Sequence, residues 1–308
     1  MIDINFGIPF GDWVETGTRW LISVFQVFFD VVGVILKVPY DFFYGVFSFL
    51  PNWLMMLIVV VLAILAKGKK GVVLAVGSVI GMLFIVAVGQ WDNAMRTLSL
   101  VLVASILALI IAIPTGIWAA KSERASRVIR PILDFFQTMP AMVYLIPALL
   151  LFGVGVVPGI FATVIFSLPP GVRMTELGIR GVDKEVVEAG RAFGATPGRI
   201  LRQIELPLAL PSIMAGVNQV IMLSLSMVVI AGMVGAAGLG QQVTQALQSI
   251  NLSLGFEAGL SVVVLAMILD RLTGGIGTKR KRKPKAEKPD AGDTKTKPVE
   301  QQVAPASA

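Results

Sequence analysis

The chain has 308 residues, of which 56% are apolar and only 15% charged, and its mean hydropathy is +0.82. Soluble domains carry about 25% charged residues, so this chain cannot clothe a globular surface and reads as a multi-span membrane protein. It holds no His and no Cys, which excludes imidazole bases, Ser–His–Asp and Cys–His nucleophiles, zinc sites and disulfides; no metal site is expected.

The net charge of +7 is unevenly placed, because residues 274–308 carry nine Lys/Arg against four Asp/Glu. A basic tail on a nearly neutral body points to anionic lipid headgroups, not to nucleic acid. The N-terminal Met1-Ile2-Asp3-Ile4-Asn5-Phe6 lacks a positive n-region, so no cleaved signal peptide is expected. From Trp13 to Lys37 the polar residues Glu15, Arg19, Ser23, Gln26, Asp30 and Lys37 recur at helical spacing on one face. Trp20, Phe25, Phe28, Val31 and Ile35 belong to the apolar remainder, the pattern of a helix lying in the membrane interface. An eighth span packed against the bundle is the alternative. The aromatic run Tyr40, Phe42, Phe43, Tyr44, Phe47 and Phe49 would anchor its end near the headgroups.

A crossing helix needs about 20 apolar residues. Seven stretches reach or approach that length, at 46–66, 72–89, 97–119, 132–152, 154–172, 207–234 and 258–272. The first and fifth are interrupted, by Pro51 and by Pro158 with Pro169-Pro170. Twenty-three of the 26 Lys/Arg fall in connections on one side, and only Arg19, Lys37 and Arg96 on the other. The bias places the N-terminus outside and the C-terminus in the cytoplasm. The chain thus divides into an external or interfacial segment (1–51), two additional spans (52–92), a core (93–273) and a basic tail (274–308) read as disordered. The alternative reading of the tail's basic run is a stop-transfer flank that only fixes topology.

The long connection at 173–206 carries the mechanism. Asp183 can cap a helix running to about Phe193, with Gly194 as its left-handed stop. Thr196 then caps a second helix with Pro197 at its first position. Glu188-Ala189-Gly190, three residues, Gly194, nine residues, Ile204, one residue and Leu206-Pro207 resembles the EAA loop of ATP-binding-cassette importer permeases. That pattern is Glu-Ala-Ala, three residues, Gly, nine residues, Ile-x-Leu-Pro; Gly190 departs from it but stays small. Small residues at Ala189 and Gly190 allow close approach to a partner surface, and Glu188 supplies a charge to pair or cap there.

The resemblance extends over about Thr97 to Leu272. The runs Gln137–Ala148, Gly153–Gly159, Leu225–Gly235 and Gly238-Leu239-Gly240 look like spans of the glycine betaine, proline betaine and choline permeases. It implies an all-α membrane protein of the type I importer permease fold, with about seven transmembrane helices and an N-terminal interfacial helix. It further implies a subunit of a bacterial cytoplasmic-membrane importer for osmoprotectants: glycine betaine, proline betaine, choline or carnitine. Its partners would be a second permease copy, two cytoplasmic ATPase subunits and an external substrate-binding protein. No cofactor is expected in this chain, since ATP and Mg2+ would belong to the ATPase, and the chain has no phosphate-binding Gly-x-x-x-x-Gly-Lys-Ser/Thr loop. It is therefore not expected to be an enzyme. The alternatives are an importer permease for another small amino-acid-like substrate and an ion-coupled secondary transporter. The latter usually places ionisable groups in mid-membrane, and those are nearly absent here.

Candidate path residues are fewer. Asn218 and Gln219, a dozen residues into the sixth span, would line a path or hydrogen-bond helices together. Met139 and Met227 are core filler or, with Tyr144, face a quaternary ammonium.

Overall fold

The structure is a computed structural model that describes residues 10–68 and 71–276. The N-terminal nine residues, Lys69, Lys70 and the tail with its basic run at 279–283 lie outside the described residues. Within them every regular element is helical. In chain order these are α1 (Phe10–Val24), α2 (Gln26–Phe49), α3 (Asn52–Lys67), α4 (Gly71–Ala87), α5 (Trp91–Lys121) and α6 (Glu123–Thr138). A 3-10 turn (Ala141–Tyr144) leads into α7 (Leu145–Phe152), followed by α8 (Val156–Arg180), α9 (Lys184–Ala192) and α10 (Pro197–Ile200). A single π turn (Leu201–Glu205) joins α10 to α11 (Leu206–Gly232), and α12 (Leu239–Ser249) and α13 (Leu252–Ile276) complete the chain.

Four helices are long and apolar enough to cross a membrane: α5, α8, α11 with its α10 extension, and α13. Two bent pairs, α1–α2 and α6–α7, reach that length only together, and α3 and α4 are shorter apolar helices. Four sequence expectations change accordingly. The segment at 13–37 is not one helix, because the chain turns by 83° at Phe25 and α2 runs on to Phe49. Tyr40 of the expected headgroup anchor is instead buried in the core. The span expected at 132–152 breaks at Met139-Pro140 with a 107° bend. Met139 is extended, ψ 134°, as the proline ring demands of the residue before it. The same effect at Leu50-Pro51 delays the first expected span to Asn52. Pro169 and Pro170, by contrast, sit inside an unbroken α8, a case membrane bundles allow when neighbouring helices cover the freed carbonyls.

The centre is α8 packed between α5 and α11. Backbones approach closely there because glycines face the partner helix. A methyl group on Gly116 would come within 2.7 Å of the Val172 carbonyl oxygen, and one on Gly171 within 2.9 Å of Ala112 Cβ. Apolar burial alone does not favour such contacts inside lipid, so close packing of small residues holds these helices together.

Candidate functional site

The segment leaving α8 builds the expected knuckle. The Asp183 carboxylate accepts from the Glu185 amide at 2.9 Å and caps α9. At the other end the Ala195 amide donates to the Gly190 carbonyl at 3.1 Å and the Gly194 amide to that of Arg191 at 2.9 Å. This is the doubly bonded glycine stop of a helix, and it requires the positive φ of +77° found at Gly194. The second expected helix is not a separate element. One turn after Pro197 it passes through the π turn directly into α11, and the Thr196 side chain makes no capping bond.

The motif residues divide into two groups. Gly190 faces Ile204, and a Cβ there would lie 2.6 Å from Ile204 Cδ1. The two motif positions, fourteen apart in sequence, therefore form one contact, and the extended Ile side chain occupies the place a larger residue at 190 would need. Leu206 joins Ile179, Ala209 and Ile213 in a small apolar cluster at the foot of α11, and Pro207 stands exposed in its first turn. Glu188 and Ala189 are both exposed. No side chain of α9 is buried, and Phe193 beyond it is 92% exposed. Glu188 has no hydrogen bond or ion pair among the described residues. It borders a cavity of about 310 Å3 with Lys121, Arg180, Lys184, Arg191 and Glu205.

Beneath α9 lies a charge network that sequence reasoning missed. Glu176 of α8 is buried, its side chain 4% exposed. One carboxylate oxygen accepts from Ser126 Oγ at 2.7 Å, from Arg130 Nη2 at 2.9 Å and faces Arg180 Nε at 3.0 Å. Arg180 also donates to the Ala119 carbonyl at 3.0 Å and pairs with Glu123. The Arg180 guanidinium holds the Glu123 carboxyl below the usual carboxylate range. Lys121 pairs with Glu205 at the π turn, and Arg173 with Asp134. The turn between α5 and α6 is thereby tied to both arms of the loop. The signal was available in the acid four residues before Arg180, but spacing alone cannot show that α6 supplies the other two partners, Ser126 and Arg130.

The candidate path residues are mostly held inside the protein. Tyr144 and Met227 are buried together in one apolar cluster with Met139 packed against it, and the Tyr144 hydroxyl donates to the Phe136 carbonyl. Asn218 Nδ2 donates to Asp270 at 3.3 Å, and Thr273 donates to Asn218 Oδ1 at 2.6 Å. Asn218 therefore sits level with the last two turns of α13 and joins the two helices. Gln219 is exposed on α11.

Comparison with known proteins agrees with this architecture. Residues 112–282 match the family described as binding-protein-dependent transport system inner membrane component. The glycine betaine/carnitine transport permease protein GbuB of Listeria monocytogenes is 46% identical over 89% of this chain and 97% of its own. The glycine betaine transport system permease protein OpuAB of Bacillus subtilis is 43% identical over 91% and 98%. ProW of Escherichia coli, a glycine betaine/proline betaine transport system permease protein, is 44% identical over 88% and 75%. Among solved structures, a chain of the inward-facing MetNI methionine ABC transporter superimposes with a TM-score of 0.54 at 25% identity, covering 61% of this chain and 92% of that one. With the family matched over more than half its length and such relatives matched nearly end to end, the chain belongs to the binding-protein-dependent inner-membrane transport components, in the branch of the glycine betaine permeases.

Proposed function

We propose that this chain is the membrane-spanning subunit of an ATP-driven importer for quaternary-ammonium osmoprotectants such as glycine betaine or carnitine. The observation that carries the reading is the α9 knuckle. It is capped at both ends, braced through Gly190 on Ile204, and presents Ala189 and Phe193 outward, while Glu188 at the edge of the cavity is unpaired among the described residues. A helix so exposed yet so well terminated is a plug for the groove of another protein, here a cytoplasmic ATPase that binds ATP and Mg2+. On this reading α9 and the tail face the cytoplasm, the N-terminal segment lies outside or in the outer interface, and a second copy completes the passage. An external binding protein delivers the substrate, and the basic tail meets anionic lipid.

The packing of Tyr144, Asn218 and Met227 gives them a supporting part, behind the wall of the passage. The test is uptake of glycine betaine by proteoliposomes holding permease, ATPase and binding protein. Gly194→Val should leave ATP hydrolysis measurable while uptake falls at least tenfold, because a β-branched residue tolerates a left-handed backbone poorly. Coupled uptake at the normal rate in that variant would overturn the docking role.

A further inference from the structure

A tapered groove runs between α4 and α13, away from the α9 knuckle and its charge network. At its narrow end the helices touch, since a Cβ on Gly81 would lie 2.6 Å from Val264 Cγ1. One turn back, a Cβ on Gly77 would meet nothing within 4 Å. The space left between the helices is about 470 Å3. Leu74 and Arg271, each seven residues from the Gly81–Val264 contact, border its wide end, so the helices run antiparallel and the slot is about 10 Å long. Arg271 has no hydrogen bond or ion pair among the described residues. Ser78, on the floor between the two ends, is 2% exposed and its hydroxyl has no hydrogen-bond partner among the described residues. A buried donor left unmet is destabilising, and a bound acceptor would relieve it.

We propose that this groove binds one phospholipid with an anionic headgroup. The vertical order of its chemistry is that of such a molecule. A cation at the mouth meets the phosphate, a hydroxyl one turn deeper donates to an ester carbonyl, and a glycine-floored slot takes an acyl chain. Charge complementarity selects an anionic lipid over a zwitterionic one, since Arg271 at the mouth is the one charged side chain among the described residues lining the groove. The inference rests on the membrane-embedded architecture alone and is independent of the transported substrate.

The test is native mass spectrometry of the purified full chain given phosphatidylglycerol or phosphatidylcholine. The wild-type protein should keep one phosphatidylglycerol in preference to phosphatidylcholine. Gly77→Leu, which fills open space and should not lower the melting temperature, should reduce that adduct at least tenfold. Arg271→Gln should erase the preference between the two lipids. Equal retention of both lipids by the wild-type protein would overturn the proposal, as would an undiminished adduct in Gly77→Leu. So would a Gly77→Cys disulfide between two copies, which would put a protein helix in the groove.

Discussion

Glu176 concentrates three donors on a single buried oxygen, and its neighbours cannot replace it. Glu176→Gln keeps the shape and the Ser126 contact but removes the negative charge that pairs with Arg130 and Arg180. We predict a lower melting temperature in detergent and a loss of uptake larger than the loss of ATP hydrolysis, because Arg180 then anchors only to Glu123 and Ala119. An unchanged melting temperature would show the network to be slack. Gly190 makes the opposite prediction. Ala at this position, the residue of the general motif, needs only the flexible end of Ile204 to move, so Gly190→Ala should retain near-normal uptake. A much larger side chain such as Trp should abolish it.

At the scale of elements, the sequence discloses what local chemistry decides. The α9 cap, the Gly194 stop and the long apolar helices all follow from residues within a few positions of one another, and the structure repeats them. Pro51 and Pro140 are as visible in the sequence as Pro169 and Pro170, but sequence alone does not show which of them a membrane helix absorbs. The discriminating feature is what lies around the ring. Pro169 and Pro170 are buried and stay helical, whereas Pro140 stands exposed and the chain turns there. Asn218 illustrates the same gap. Its depth was counted along α11 from Pro207, but its partners Asp270 and Thr273 come from a helix fifty residues on, and only the packing shows them.

For the whole molecule, the charge bias and the fold make a common topology prediction. Reporters fused after Arg127 or Arg282 should read cytoplasmic and one after Asp92 external; an external signal at Arg127 would reverse the scheme and put α9 on the wrong side. Selectivity is a second property of the whole. A fixed cation needs an aromatic cage or a free carboxylate, and here Glu176 is held by arginines. Tyr44 with Asp92, the one aromatic–carboxylate pair among the described hydrogen bonds, is already occupied by Arg96, whose guanidinium lies 4.3 Å from the ring centre. The permease with its ATPase but without a binding protein should therefore bind glycine betaine more weakly than about 1 mM, under about 4 kcal/mol. Micromolar affinity by calorimetry would place selection in the permease itself.

The unbroken passage from α10 through the π turn into α11 has a mechanical meaning. One arm of the loop reaches α8 through the non-helical Gly181, but the other is continuous helix from Pro197 to Gly232, 36 residues, or about 54 Å at 1.5 Å per residue. A torque applied at α9 is thus transmitted along a single beam to the opposite face of the bundle, with the π turn as its fulcrum. Tilting that beam by about 10° about the π turn would sweep its far end, about 40 Å away, through about 7 Å. We predict that spin labels at Met233 and on α5 change separation during the ATPase cycle by several times more than a pair at Leu206 and α5. Equal changes at the two levels would mean that the beam slides along its axis and does not pivot.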